Sequence, residues 1–449
     1  MNGLTLEPAP SEWALPDPPA ASPERAALGL PETSTVIMLG HQAAAWHAGI
    51  AVKFYLARAM ADALTASGRP AIVAWLTPDH VAAQPFRLRV PVLDSGRLAE
   101  RALDLAPALP EGGSVCAAPA SSSLRASWDG AEPALEQVRA GVESRRAALS
   151  ASADESNAAR QAIGAMQQEL GAGGSPDIKL YASELSRAGA LDGLIDAMLD
   201  DPEACARTYN EAATARPDAG IGAMTLGNRT ELPLWELSSG RPRRVFADEL
   251  ADLPRATLAP RALTMTLLAR RSLCEVFIHG TGGGAYDPVM EAWARRWLGA
   301  TALAPMIVAS VTRTLPLGHL AADDSAIDRA AWRAHAARHD PALLGDDAAA
   351  AEKRKLVGAI RETREAGGDP SALFAEMQAL LARVREERAG EIESFRRAAV
   401  EAQAKRGAGA VANDRTWALA LHDERARAGL VGLATEAASV LTTPARSPR

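Results

Sequence analysis

Two histidines, a glutamine and two glycines lie within eleven residues near the start of the sequence. They belong to segment 40–50, which reads GHQAAAWHAGI. Glycines let the chain turn sharply and let a ligand approach the backbone. Helix N-termini favour anions such as phosphate, and imidazoles can donate hydrogen bonds or charge to them. We therefore expect two catalytic histidines, His41 and His47, and three ligand-binding residues, Gly40, Gln42 and Gly49.

Lys53 follows this segment by three residues and would bring a positive charge to the same ligand. The alternative interpretation is a tight turn with two solvent-facing histidines. The tetrapeptide 47–50 also resembles the HxGH signature of nucleotidyl transferases, whose histidines stabilise a triphosphate. Ile50 stands in place of the final histidine of that signature, so the match is partial.

A second polar pair, Asp79 and His80, follows an apolar run. An aspartate beside a histidine at a strand end can supply a general base or bind a hydroxyl group. The alternative is a turn in which Asp79 caps nearby N–H groups. We expect both residues to be catalytic.

A glycine-rich segment, 279–287, follows a third apolar run and reads HGTGGGAYD. Four glycines between a strand and a helix favour a backbone nest that binds an anion. The segment is neither GxGxxG nor a P-loop, because no Gly-Lys-Ser/Thr follows. The alternative is a flexible connection. We expect six residues to bind a cofactor or another anionic ligand: His279, Gly280, Thr281, Gly282, Gly283 and Tyr286.

The remaining polar residues are weaker candidates. Glu231 and the arginines between residues 229 and 244 belong either to a carboxylate clamp or to a solvated loop, and Ser310 has the same two interpretations. The three cysteines are far apart, and no metal-ligand spacing occurs. We therefore predict no metal site, and a reducing compartment.

Strand and helix patterns place the three polar segments at strand ends. Apolar runs at 35–40, 71–76, 273–278 and 304–311 predict buried strands. The helical pattern at 49–66 lies between the first two runs, and the one at 287–297 lies between the last two. Two βαβ units and a parallel sheet are therefore expected. Ligands bind beyond the carboxyl ends of such strands, which predicts that the polar segments converge there.

The C-terminal third shows a different pattern. Leu373, Met377, Leu380 and Val384 recur at intervals of 4, 3 and 4 residues, which is typical of a coiled coil. Segment 367–370, GGDP, would end one helix and start the next. The sequence thus predicts an antiparallel helical hairpin, through which the chain would form a homodimer or dock a partner.

These patterns predict an α/β protein with a Rossmann-like parallel-sheet core, a mainly helical insertion and a C-terminal coiled-coil hairpin. We expect the following division: a Pro-rich, poorly regular segment at 1–33, the first part of the core at 34–130, the insertion at 131–215, the second part of the core at 216–320, and the helical region at 321–449.

Charge and hydropathy exclude some partners. The net charge of −7 and the pI of about 5.7 provide no basic excess for a nucleic acid. No run of about 18 apolar residues predicts a membrane span, and the N-terminus lacks the pattern of a secretory signal. We expect a cytoplasmic protein that acts on a small molecule.

The order of these motifs resembles the cysteine-adding enzymes (cysteine ligases) of bacillithiol biosynthesis. The resemblance is close over residues 34–90 and 255–315, and the helical tail matches only in kind. The matching residues are Gly40, Gln42, Gly49, Lys53, Trp75, Asp79, His80, Gly282, Gly283, Ala285, Tyr286 and Ser310.

This resemblance implies a Rossmann-like core, a C-terminal coiled coil, and an activity that joins cysteine to a glucosaminyl-malate acceptor. The chain departs from the family at His41, where a glutamine is usual, at Pro78, where a glutamate is usual, and at Gly284. We therefore expect a diverged relative.

Three functions follow as hypotheses. The first is a ligase or transferase of low-molecular-weight thiol biosynthesis that uses ATP or another nucleotide. The second is a non-catalytic nucleotide-binding module that dimerises or docks a partner through its helical hairpin. The third is a nucleotidyl transferase built on the partial HxGH signature.

Overall fold

The computed structural model describes residues 3–17, 22–299, 302–320 and 324–442. The strands are β1 (Leu4–Glu7), β2 (Thr35–Leu39), β3 (Ala71–Thr77), β4 (Arg87–Asp94), β5 (Arg97–Asp104), β6 (Glu132–Pro133), β7 (Ile178–Tyr181), β8 (Glu231–Glu236), β9 (Arg243–Phe246), β10 (Leu258–Pro260), β11 (Val276–His279) and β12 (Met306–Val311). The helices are α1 (Pro23–Ala27), α2 (Ala48–Ala66), α3 (Glu136–Ala151), α4 (Ala158–Leu170), α5 (Asp192–Asp200), α6 (Pro202–Thr214), α7 (Ala247–Leu250), α8 (Ala262–Leu268), α9 (Thr281–Leu298), α10 (Asp324–Ala336), α11 (Asp347–Glu365), α12 (Ser371–Glu387), α13 (Ala389–Ala404), α14 (Arg406–Asn413) and α15 (Glu424–Ala438).

A six-stranded sheet forms the centre of the molecule, in the order β1-β12-β11-β2-β3-β7. The five strands from β12 to β7 run parallel, and β1 pairs antiparallel with β12. The predicted α/β fold is therefore confirmed. Because the five parallel strands share one direction, their carboxyl ends meet at one edge of the sheet.

Alternating side chains bury both faces of this sheet. On β2, Ile37 and Leu39 join a core that includes Phe54 of α2. Val36 and Met38 point the other way, into a core that includes Trp293 of α9. A strand covered on both faces becomes a continuous apolar run, which is why the sequence revealed β2 so clearly.

Strands β1 and β7 were not predicted from the sequence. Segment 1–33 was expected to be poorly regular, yet β1 lies there, with Leu6 opposite Ala309 of β12. Segment 131–215 was expected to be mainly helical, and β7 adds a core strand to its four helices. Both are four-residue strands at sheet edges, and a pairing so distant in sequence leaves no local pattern.

Two three-stranded sheets flank the core, in the orders β5-β4-β6 and β10-β8-β9. The second sheet packs on α6 and α8. The expected strand 273–278 starts late, because α8 continues into a π-helical turn, Ala269–Leu273, before β11 begins.

The C-terminal helices α10 to α13 pack as two pairs. Helix α11 packs on α12, and α10 packs on α13. Leu380 and Val384 of α12 are buried with Leu356 of α11. The coiled-coil character of this region stays a prediction. Helix α15 returns to the central domain and packs on α2. Among the described residues, none of the helices is both long and apolar enough to span a membrane.

Candidate functional site

A cavity of about 760 Å³ lies at the carboxyl ends of β2, β3, β11 and β12. Thirteen of the fourteen residues expected in a site line it: Gly40, His41, Gln42, His47, Gly49, Lys53, His80, His279, Gly280, Thr281, Gly282, Gly283 and Tyr286. Asp79 is not in its lining. The three polar segments therefore converge as parallel-sheet topology requires.

The N-terminus of α2 forms one part of the wall. His47 is its N-cap, and the Nδ1 atom of His47 accepts a hydrogen bond from the backbone N–H of Gly49 at 3.1 Å. A Cβ on Gly49 would lie 2.9 Å from the carbonyl oxygen of Val311 on β12. Glycine is therefore required where this helix end meets the sheet.

Lys53 lies behind this helix end and is 3% exposed. Its ammonium donates a hydrogen bond to the carbonyl oxygen of Gly40 at 3.0 Å. Burial alone lowers the pKa of Lys53 to about 8, and no described carboxylate opposes that effect. Lys53 is thus a buried cation without a protein counter-charge in the described chain.

The N-terminus of α9 forms a second part of the wall. The helix begins at Thr281, so the expected start near Asp287 is wrong, and the glycines form its first turn. A Cβ on Gly283 would lie 2.1 Å from Nδ1 of His279, and one on Gly284 would lie 2.5 Å from Val308. The glycines therefore let the helix start directly against β11 and β12, with the first-turn N–H groups unpaired within the helix.

Two imidazoles at the strand ends are held neutral. Burial is the main cause that lowers the pKa of His41 to about 3 and that of His80 to about 4. The Nδ1 atom of each ring is buried and has no hydrogen-bond partner among the described residues. These rings therefore present neutral hydrogen-bonding groups at the strand ends.

Asp79 faces away from the cavity. Its carboxylate accepts hydrogen bonds from the backbone N–H of Ser183 at 2.9 Å and from its hydroxyl at 2.6 Å. Burial raises the pKa of Asp79, and these bonds oppose the rise. The Asp79 carboxylate therefore caps the turn at Ser183, which lies 104 residues away along the chain. The geometry therefore brings His80 to the cavity without Asp79.

The sheet β10-β8-β9 supplies a wall that the sequence patterns largely did not predict. Arg261 donates to the buried carboxylate of Glu231 at 2.6 Å and stacks over Trp235 at 4.0 Å. Arg244 also donates to Glu231, at 3.3 Å. Glu231 and Arg244 were weak candidates, and Arg261 had no signal beyond its position before a helix. Arg229 pairs with Asp248 instead.

Segment 414–422 adds Arg415 and Thr416 to the cavity lining. The backbone of Ala418 pairs with His47, and the N–H of Leu419 donates to the carbonyl oxygen of Trp46 at 2.6 Å. No periodicity or motif in the sequence links this segment to residues so far away. Ser310 of β12, another weak candidate, also lines the cavity.

The charged side chains of the lining are mostly positive. Four are cations, Lys53, Arg244, Arg261 and Arg415, and one is a carboxylate, Glu231. Two helix N-termini add partial positive charge. The electrostatics of the cavity therefore favour an anionic ligand.

Comparisons with known proteins provide no family for this chain. No protein-family model matches it, and no curated protein sequence matches it. It is similar to a crystal structure from Campylobacter jejuni, provisionally named an arginyl-tRNA synthetase, with 12% identity, 91% of this chain and 92% of that chain covered, and a TM-score of 0.30. A TM-score this low does not establish a common fold. The resemblance to the cysteine-adding enzymes stays a prediction.

Proposed function

We propose that this protein is an enzyme of the ligase or transferase class that binds a phosphate-bearing small molecule, such as ATP or another nucleotide, in the cavity at the carboxyl edge of the sheet. The observation that carries this proposal is Lys53, a buried ammonium without a carboxylate partner in the described chain, beside a cavity onto which two helix N-termini open.

Lys53 argues for an anion because an unpaired buried charge is costly. Removing an ammonium from water without a counter-charge costs several kcal/mol. Lys53 has one hydrogen bond, to Gly40, and this neutral carbonyl offsets only part of the cost. A ligand phosphate would supply the missing charge, and it would accept from the first-turn N–H groups of α9.

The size of the cavity supports a small-molecule substrate. Sites for small ligands and cofactors usually enclose about 300–1,000 Å³, and this cavity encloses about 760 Å³. A second wall of the cavity comes from the sheet β10-β8-β9 and includes Arg244, Arg261 and Trp235. The ligand would therefore contact both walls.

The finer proposal is a cysteine-adding reaction on a glucosaminyl-malate acceptor. It is supported by the positions of the residues that carry the sequence resemblance. Nine of those twelve line the cavity: Gly40, Gln42, Gly49, Lys53, His80, Gly282, Gly283, Tyr286 and Ser310. Trp75, Asp79 and Ala285 do not, and Trp75 packs in the core against Trp46 and Phe54.

Titration calorimetry with ATP and ADP tests the binding site. The wild type is expected to bind a nucleotide saturably, and Lys53→Met is expected to weaken binding at least about tenfold, which corresponds to about 1.4 kcal/mol. Lys179→Met is the matched control, because it removes the same charge from β7, outside the cavity lining. Equal binding by Lys53→Met and Lys179→Met, or none by the wild type, contradicts the proposal.

Mass spectrometry of the products tests the reaction. Incubation with ATP, cysteine and glucosaminyl-malate is expected to yield the cysteinyl adduct. A nucleotidylated acceptor would favour the nucleotidyl transferase instead. One observation supports that alternative: His47 of the partial signature caps α2 at the cavity, although Ile50 lines it where a histidine would be needed.

Exposed apolar side chains on the C-terminal helices support the non-catalytic alternative. Trp332 of α10 is 59% exposed and Val400 of α13 is 60% exposed. Leu380 and Val384 are buried, so substitutions there would disturb the helix packing rather than report association. Nucleotide binding without any product, together with a dimer that Trp332→Glu dissociates in light scattering, would favour this alternative.

A further inference from the structure

His279 lies in the cavity wall with a buried carboxylate behind it. Its Nε2 atom is 3.4 Å from Oδ1 of Asp287. Both atoms are buried, and neither has a hydrogen bond in the described part of the chain. The 3.4 Å separation is longer than a formed N–H···O bond, so the pair is in electrostatic contact and a small shift of the ring would close the bond.

Asp287 is fixed by a buried arginine. The carboxylate is 0% exposed and accepts a hydrogen bond from the guanidinium of Arg270. Arg270 is held in turn by the carbonyl oxygen of Ala304 at 2.7 Å and by Glu291 at 2.7 Å. Arg270 therefore places a positive charge directly against the buried carboxylate of Asp287.

The imidazole of His279 has little freedom to turn. The ring of Phe277 lies 4.6 Å away and that of Tyr286 lies 5.8 Å away, between ring centroids. Gly283 packs so closely on Nδ1 that no Cβ would fit. With Nε2 turned to Asp287, Nδ1 faces the first turn of α9, where the ligand anion is proposed to bind.

We infer that His279, assigned from sequence only to ligand binding, is the proton acceptor of the cavity, and that Asp287 and Arg270 are its positioning residues. This inference rests on the proposed function. In the step, the S–H, O–H or N–H bond of the attacking substrate group breaks and an Nδ1–H bond forms. The electron pair stays on the substrate atom, which becomes the nucleophile. The imidazolium then donates Nε2–H to Asp287, and the proton leaves later with the product or to solvent.

The charges around His279 agree with this role. Burial is the main cause that lowers its pKa, so the resting ring is neutral and can accept a proton. Asp287 raises the pKa, whereas Lys53 and Arg270 lower it. A bound anion would neutralise Lys53, which would make His279 a stronger base when the substrate is present.

The other histidines of the cavity are less suited. His279 alone has a carboxylate within 4 Å among the described residues. The Nδ1 atom of His47 already accepts from Gly49, which leaves Nε2–H as a donor. His41 and His80 are neutral rings without an acidic partner. Of these rings, only His279 therefore has a carboxylate of the described chain within 4 Å to stabilise its imidazolium.

Nitrogen-15 NMR of ring-labelled histidine tests the positioning directly, with signals of residue 279 identified by their loss in His279→Gln. At pH 7.5 the wild type is expected to carry its proton on Nε2. Asp287→Asn is expected to weaken this preference and to lower the pKa of the ring. Glu291→Gln is the control, because Glu291 contacts Arg270 and not His279. A wild-type proton on Nδ1, or an unchanged tautomer in Asp287→Asn, overturns the inference.

The wild-type tautomer is assigned with His279→Gln alone, so the test survives if Asp287→Asn fails to fold. It also does not depend on the reaction, so a failure of the proposed function is seen separately in calorimetry. With substrates of the proposed reaction, His279→Gln is expected to lose about 100-fold or more in turnover at saturating nucleotide. Asp287→Asn is expected to move the acidic limb of the pH profile to lower pH. Full turnover by His279→Gln contradicts the role.

Discussion

At the scale of single residues, Gly40 is required for β2 and β3 to meet at the cavity. A Cβ at this position would lie 1.9 Å from the carbonyl oxygen of Leu76. Both partners are main chain, so neither can rotate away, and the strands must separate. The carbonyl of Gly40 also accepts from Lys53, so the same shift would displace the proposed anion site.

We expect Gly40→Ala to destabilise the protein by about 1–3 kcal/mol, as overpacking generally does. Gly358→Ala is the control, since Gly358 lies inside α11 and nothing lies within 4 Å of an added Cβ. That change should be neutral or stabilise by up to about 1 kcal/mol, because alanine favours helix. Urea unfolding measures both, and a loss that is equal in the two variants would refute the steric argument.

Lys53 should stabilise the ligand complex and destabilise the free protein. Its pKa falls from 10.5 to about 8 on folding, which amounts to a cost of about 3 kcal/mol when the amine is charged. The folded state binds fewer protons than the unfolded chain between these values. The penalty is therefore complete below about pH 8, and it disappears as the pH rises towards 10.5.

We expect Lys53→Met to raise the stability of the ligand-free protein at pH 7 while it weakens anion binding. The gain should shrink as the pH rises from about 8 towards 10.5, where the wild-type amine is neutral. Urea unfolding of both proteins across this range tests the linkage. A destabilised Lys53→Met at pH 7 would mean that the lysine is compensated within the protein.

At the scale of elements, the N-terminal segment is joined to the core by a buried ion pair. Arg25 of α1 donates to Glu275 at 2.7 Å, and each side chain is 1% exposed. Arg25 also donates to two carbonyl oxygens, of Pro31 and Ser34. Glu275 accepts from the N–H of Val36 at the start of β2, so the pair fixes where β2 begins.

We expect Arg25→Leu to cost about 3–5 kcal/mol, because it leaves Glu275 buried and unpaired. Burial already raises the pKa of Glu275 and Arg25 opposes the rise, so the variant should protonate Glu275 more readily. Its deficit should be smaller at pH 5 than at pH 8. The double variant Arg25→Leu/Glu275→Gln should recover part of the loss in thermal unfolding. A double variant no better than the single one would show that the lost packing dominates.

The elements that sequence could predict are those whose pattern is local. Strand β2 is a continuous apolar run, and helix α2 has apolar residues at helical spacing. His47 and Gly49 lie where α2 begins. The start of α9 was misplaced, because glycines usually end helices, whereas here Gly283 and Gly284 are needed for contact with His279 and Val308. A glycine-rich composition indicates a flexible loop. The close packing of these glycines depends on β11 and β12, which the composition does not reveal.

The candidate site shows the same limit. Strand-end topology predicted the segments that converge, but not which side chains face inward, so Asp79 was included although it bonds to Ser183. Arg261 was missed because its place in the cavity wall depends on Glu231 and Trp235, which precede it by some thirty residues. Contacts between distant segments leave no period or motif in the chain.

At the scale of the whole molecule, the cavity is completed by a segment almost 370 residues from the first strand-end motif. Arg89 of β4 holds that segment, with a bond to Asp414 at 2.7 Å and stacking over Trp417 at 5.3 Å. Trp417 is fully buried. The segment is thus anchored on both sides of Arg415, whose exposed side chain reaches the cavity lining.

Arg415 should therefore act on the ligand and not on the fold. We expect Arg415→Ala to weaken nucleotide binding by about 3- to 10-fold, as the loss of one charge-assisted contact would, with an unchanged melting temperature. Arg425→Ala, which removes the same charge from an exposed position on α15, should bind like the wild type. Because Arg415 is exposed, the difference should shrink as salt screens its charge. Equal affinities for the two variants at low salt would show that the C-terminal segment closes the cavity without contacting the ligand.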